Sequence, residues 1–266
     1  MFIGICAGPT TDIETLDKCI GSAISQFDMP HGMVAVIGYR ELIDQSKHMG
    51  SFYPYYYDEP RKGWITQKKN LLVNVAHEYG FDKVCLVHDY YEFQPDWVDK
   101  ILKWWDDNDH IQVVVNPIYT MEGERHSDWL LDQRFVTAML ERQPQLRNLF
   151  MQVAPNENDP KYVCGVPYEV QDMTNMQYIS GGMITANIEV LQAIPLDESR
   201  CWGDEEDIEW SQRLRGARIK IGLCMDTYTK LLKPNKWHLY EMPQEGLNAM
   251  RDMFICIPVP EGKKYS

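Results

Sequence analysis

Short apolar runs alternate with stretches of helical spacing along this chain, and that alternation restricts it to an open α/β sheet. Phe2 to Ala7 is a run of small and apolar residues, broken by Gly8-Pro9-Thr10. Glu14 to Gln26 then places Leu16, Ile20, Ala23 and Ile24 at helical spacing, and Met33 to Ile37 (MVAVI) reads as a second strand. Strand, helix and strand in this order close as a right-handed parallel crossover. A second series follows: a helix over Thr66 to Tyr79, a strand over Lys83 to Val87 (KVCLV), a helix over Asp96 to Trp105 and a strand over Ile111 to Val115 (IQVVV). Helices interleaved with buried strands predict a mostly parallel sheet covered on both faces.

The regularity fades after Asn116. Pro117 to Met176 is more polar, with one helix expected near Asp128 to Leu140. From Gln177 the order returns as strand, helix, acidic turn, helix and a strand over Ala217 to Leu223. The 266 residues suffice for one large core, and no repeat or low-complexity segment divides them, so one unit spanning 1–266 is expected.

Composition narrows the function. Hydrophobic residues at 44% and charged residues at 24% are ordinary for a globular chain. Against 39 Asp+Glu stand 26 Lys+Arg, a net charge of -13 that repels a phosphate backbone and argues against nucleic acid as partner. No apolar run is long enough for a membrane span, and the start MFIGICAGPTTD lacks the basic segment of a signal peptide. The seven cysteines are scattered, which predicts reduced, structural thiols in a cytoplasmic protein.

Three segments carry candidate chemistry. In KVCLVHDYYEFQPDW (83–97) a buried strand ends in His88 and Asp89, and ligands of open α/β sheets bind beyond the carboxyl ends of strands. Asp89 therefore suits a diphosphate with its Mn or Mg ion, although strands also end in polar turn residues for no functional reason. In KGWITQKKNLLVNVAHEYG (62–80) Lys68 shares a helical face with Leu71, Leu72, Val75 and Tyr79. Lys68 and Lys69 sit near the first turn, where the dipole disfavours cations unless an anion is close. The plainer alternative is that both lysines snorkel to water. In CWGDEEDIEWSQRLRGARIKI (201–221) four acids, Asp204 to Asp207, open a helix stopped by Gly216. First-turn acids are usually structural, but spacing puts Asp207 over Trp210, Ser211 and Leu214 on the buried face, while Asp204 and Glu205 fall toward the entry loop. Gly181-Gly182 would admit a close approach or merely relieve packing, and His238, beside Trp237, has the prior of any lone histidine.

Together these segments resemble the GT-A glycosyltransferases, in particular inverting family 2 and the galactosyltransferase C-terminal region. The resemblance runs from the first strand to His238 and is weakest over 117–176. It implies a metal-dependent transfer of sugar from a nucleotide-sugar donor, UDP-linked in most such enzymes, to a hydroxyl of a glycan or glycoconjugate. Residues of about 1–116 would bind the donor, through Ala7, Gly8, Thr10, Lys68, Lys69, Asn70, His88 and Asp89. Residues of about 117–266 would bind the acceptor, through Gly181, Gly182, Trp202, Gly203 and Asp204. The family's metal motif falls on His88-Asp89-Tyr90, where Asp89 is the lone carboxylate, and the family's late metal-binding histidine falls on His238. Its catalytic Glu-Asp pair falls on Glu206-Asp207, with Asp207 as general base. A sugar nucleotidyltransferase is the alternative, against which the AGPTTD loop counts because it has no basic residue. A non-catalytic carbohydrate-binding protein is another, and would use the 8 Trp and 15 Tyr without needing Asp207.

Overall fold

A computed structural model describes residues 1–8, 10–27, 32–57, 65–123, 177–200 and 206–233, with the backbone alone at 125–126, 129–131 and 177–178. Among these residues the strands and helices expected in the first half appear in their expected order, with further short elements between them. It contains β1 (Phe2–Cys6), α1 (Ile13–Ile24), β2 (Met33–Gly38), α2 (Arg40–Ile43), β3 (Tyr53–Tyr56), α3 (Ile65–Glu78) and β4 (Lys83–His88). Then come β5 (Tyr91–Phe93), α4 (Trp97–Asp107), β6 (Val113–Val115), β7 (Ile118–Tyr119), β8 (Arg125–His126) and β9 (Trp129–Leu131). The second half holds β10 (Gln177–Ile179), β11 (Met183–Asn187), α5 (Ile188–Ala193), α6 (Glu206–Gly216), β12 (Ile221–Leu223) and β13 (Thr229–Leu231).

Seven strands form the main sheet in the order β12-β6-β11-β4-β1-β2-β3. β1 pairs in parallel with both β2 and β4, β2 with β3, and β6 with β12, whereas β11 runs antiparallel to β4 and β6. Strands β1, β2 and β4 are apolar on both sides because helices cover both faces. One face packs Leu72, Val75 and Ala76 of α3 with Trp210 and Leu214 of α6. The other packs Leu16 and Ile20 of α1 with Trp97, Ile101 and Trp105 of α4.

Local signals set the helix boundaries. Asp12 caps α1, its side chain accepting the Thr15 N–H at 2.8 Å. Asp96 before α4 has φ 60°, a left-handed conformation that aspartate tolerates better than most residues. Cys6, Cys19, Cys85 and Cys224 are buried and free, and burial pushes the Cys6 thiol up to about 11 and Cys85 to about 12. These thiols therefore pack as small apolar groups; Cys164, Cys201 and Cys256 lie outside the described residues. No helix among the described residues is long and apolar enough to cross a membrane.

One expectation is corrected. Trp129–Leu131, inside the helix anticipated near Asp128 to Leu140, is a strand paired antiparallel with β10, and the rest of that stretch lies outside the described residues. The apolar runs also continue into a smaller sheet, β5-β13-β7-β8, whose two- and three-residue strands are too short for any periodicity to show.

Candidate functional site

Cys6 lies opposite His88 in the β1–β4 ladder, so the loops leaving these parallel strands meet. The Gly8 N–H donates to Asp89 Oδ2 at 2.6 Å, and the Thr11 hydroxyl donates to the same oxygen. Asp89 is buried, and burial raises its carboxyl above the ordinary value against these two hydrogen bonds and the charges of Lys233 and Lys68. Of the residues expected in the donor loop, Ala7 and Gly8 reach this point. Thr10 is exposed, and its neighbour Thr11 makes the contact instead. Two adjacent threonines offer no sequence signal to tell them apart.

Both lysines of α3 are buried, Lys68 to 6% exposure and Lys69 to 0%, so neither snorkels to water. The buried stripe runs between them through Leu72, Val73 and Ala76, leaving Leu71 and Tyr79, expected on the Lys68 face, exposed at 41% and 54%. Lys68 Nζ donates to the Ala7 carbonyl at 2.9 Å and lies 5.5 and 5.4 Å from the ring centroids of Tyr39 and Tyr57. Burial lowers its ammonium, which Cys6 and Asp89 oppose. Lys69 Nζ donates to the Gly181 carbonyl. Asn70, expected at the donor, faces elsewhere: it bonds Leu196 through both N–H and carbonyl and donates to Glu198 at 3.0 Å. It is a clamp on the chain after α5.

His88 Nδ1 meets the Tyr90 hydroxyl at 2.8 Å, while its buried Nε2 has no partner among the described residues. Burial, then Lys69, Lys68 and Lys233, hold the imidazole well below its usual pKa, hence neutral. A hard divalent cation requires several oxygen ligands. Here the strand end supplies one carboxylate with one oxygen already taken, surrounded by lysines. Among the described residues no group of three or more His, Cys, Asp or Glu side chains is placed to hold a metal. These side chains by themselves do not fit Mn or Mg; the other expected ligand, His238, lies outside the described residues.

The acid pair arrives from the far half of the chain. The Gly181 N–H donates to Asp207 Oδ2 at 2.7 Å, and the Ile208 N–H to Asp207 Oδ1 at 2.9 Å. Ser211 Oγ donates to the Asp207 carbonyl at 2.7 Å and accepts the Ile179 N–H at 2.9 Å, fastening α6 to β10. Glu206, at 5% exposure, is the more deeply buried acid, and Asp207 is half-buried. A Cβ at Gly181 would meet Glu206 Oε1 and Asp207 Oδ2, both at 3.1 Å, and one at Gly182 would collide with the Tyr91 hydroxyl. The Gly182 carbonyl in turn accepts the His88 N–H at 3.0 Å. The two glycines thus join the acid pair to the end of β4. Trp202, Gly203 and Asp204 lie outside the described residues. Sequence reasoning missed Thr11, Tyr91 and Lys233, which meet Asp89, the Gly182 position and the Tyr90 ring from distant parts of the sequence.

No protein-family model and no curated protein matches the sequence. Solved structures do match in three dimensions. S. aureus TarS 1-349 in complex with UDP superimposes with a TM-score of 0.54 at 12% identity, covering 86% of this chain and 60% of that one. S. aureus TarS 1-349 with UDP-GlcNAc gives 0.56 at 13%, covering 99% and 68%. S. aureus TarS itself gives 0.57 at 14%, covering 99% of this chain and 40% of that one. The likeness shows that this chain has a GT-A-like fold, with the mixed sheet described above. It spans 60% of the first of these chains.

Proposed function

We propose that this protein transfers a sugar from a nucleotide-sugar donor, UDP-linked in the first instance, to an acceptor hydroxyl of a glycan or glycoconjugate. One observation carries the reading: Gly181 and Gly182 couple the Glu206–Asp207 pair to the His88–Asp89 strand end, the arrangement a general base beside a donor site would need. The fold is the one in which TarS structures hold UDP and UDP-GlcNAc, which supports the choice of donor.

The chemistry balances as a direct displacement. Asp207 accepts the proton of the acceptor hydroxyl, and that oxygen attacks the anomeric carbon. The bond from this carbon to the diphosphate oxygen breaks, and the nucleoside diphosphate leaves with the electron pair. Attack opposite the leaving group inverts the anomeric centre. Asp207 suits the part because backbone N–H groups of Gly181 and Ile208 orient its carboxylate from two sides. Glu206, buried beside it, positions the acceptor.

The test is turnover of a nucleotide-sugar panel, scored by release of the nucleoside diphosphate and by transfer to added glycans. Asp207→Asn should lower kcat by roughly 10²-fold or more with donor affinity unchanged. The anomeric coupling of the product in NMR should be opposite to that of the donor. Retained configuration removes direct displacement, near-normal turnover of the Asn variant removes Asp207, and binding without any turnover leaves a carbohydrate-binding protein.

A further inference from the structure

We propose that Lys68 and Lys233, converging on Asp89 from α3 and from the chain after β13, hold the donor diphosphate in place of a divalent cation. The inference rests on the nucleotide-sugar reading above and adds how the leaving group is neutralised.

The two lysines come from opposite ends of the sequence and act on the same spot. Lys68 Nζ touches the Ala7 carbonyl next to Gly8, whose N–H is bound to Asp89. Lys233 Nζ stands 5.4 Å from the Tyr90 ring centroid, and the Leu232 N–H before it donates to the Tyr90 carbonyl at 2.8 Å. Its charge bears on Asp12, His88 and Asp89, as that of Lys68 bears on His88 and Asp89. Neither lysine forms an ion pair among the described residues. The Asp89 carboxylate already spends one oxygen on Gly8 and Thr11. Lys68 is therefore a buried cation with one carbonyl bond, an arrangement that becomes favourable when an anion supplies the missing partner. The Nε2 of His88, buried and without a partner among the described residues, is a second, independent mark of a polar ligand at the same strand end. A multiply charged phosphate satisfies all three groups, and ammonium groups serve as its point-charge partners. Among the described residues a divalent cation at this strand end would meet the Asp89 carboxylate alone and the repulsion of both lysines. In a chain of net charge -13, such a positive pocket would also draw an anionic donor out of the general field.

Calorimetric titration of UDP and of uridine into the full chain, in EDTA and in Mn²⁺, tests the proposal. UDP affinity in EDTA should lie within about threefold of that in Mn²⁺. Lys233→Ala should weaken UDP about tenfold or more and uridine less than about twofold, while Lys233→Arg keeps most of the affinity. Lys68→Met should do the same to UDP, with its melting curve showing that the fold is kept; the half-buried Lys233 keeps the test decisive if that variant does not fold. UDP binding that requires Mn²⁺, or that Lys233→Ala leaves unchanged, overturns the lysine pair and leaves the transferase reading standing. No binding of any nucleoside diphosphate in either buffer overturns both.

Discussion

Gly181 and Asp207 are joined by a 2.7 Å hydrogen bond from backbone N–H to Oδ2, across 26 residues of sequence. The same glycine accepts the buried ammonium of Lys69 on its carbonyl. One residue thus ties α3 and α6 to the turn between β10 and β11. An added methyl would press on both acids, each 3.1 Å from the position of its carbon. Gly181→Ala should destabilise the fold by about 1–3 kcal/mol in urea titration and lower turnover about tenfold, with donor affinity little changed. Turnover equal to wild type would mean that the acids move aside freely and their placement is not critical.

Gly182 has its own neighbour. A Cβ there collides with the Tyr91 hydroxyl, while the next ring carbon stands at 3.1 Å. Gly182→Ala alone should cost about 1–3 kcal/mol. In combination with Tyr91→Phe the cost should shrink, giving a favourable coupling of about 0.5 kcal/mol or more in the double-mutant cycle. Strict additivity would show that the hydroxyl is not what excludes a side chain.

The Asp89 carboxylate organises the loop after β1. Asp89→Ala leaves the Gly8 N–H and Thr11 hydroxyl without their acceptor and Lys68 without its nearby anion. A loss of about 2–4 kcal/mol in denaturant unfolding is expected, and about 1 kcal/mol for Thr11→Val, which removes one donor. UDP affinity should fall in both variants, because the loop that carries Gly8 is no longer held.

Asn70 separates position in sequence from position in the site. It adjoins Lys68 and Lys69, yet its amide clamps Leu196 and Glu198. Asn70→Ala should therefore cost about 1–3 kcal/mol of stability while UDP affinity stays within about twofold of wild type. A large loss of affinity in a folded variant would return Asn70 to the donor site.

Which parts were legible follows from how far each signal reaches. FIGIC, MVAVIG and KVCLVH are apolar without alternation, the mark of strands buried on both faces, so β1, β2 and β4 could be placed to within a residue. β3 escaped notice: its sequence YPYY is half-exposed, and its proline suits only the sheet edge it occupies. The helical spacing of α3 marked Lys68 as inward. It did not mark Lys69, because a charged residue one step along reads as solvent-facing until the chain folds a carbonyl over it.

By itself the sequence determined where β1, β2, β4, α1, α3 and α4 form, that a carboxylate ends β4 and that an acid pair opens α6. Each of these depends on residues a few positions apart, within reach of periodicity and capping. Only the tertiary structure decided that β11 inserts antiparallel between β4 and β6, and that Thr11 rather than Thr10 meets Asp89. It alone decided that Gly181 accepts from Lys69 and donates to Asp207, and that Lys233 returns to the strand end of Asp89. Lys69 and Gly181 are 112 residues apart and Gly181 and Asp207 are 26 apart, and no local pattern encodes such contacts. Buried polar groups must find partners wherever the packed chain brings them, and the packing of the whole sheet settles which partners those are.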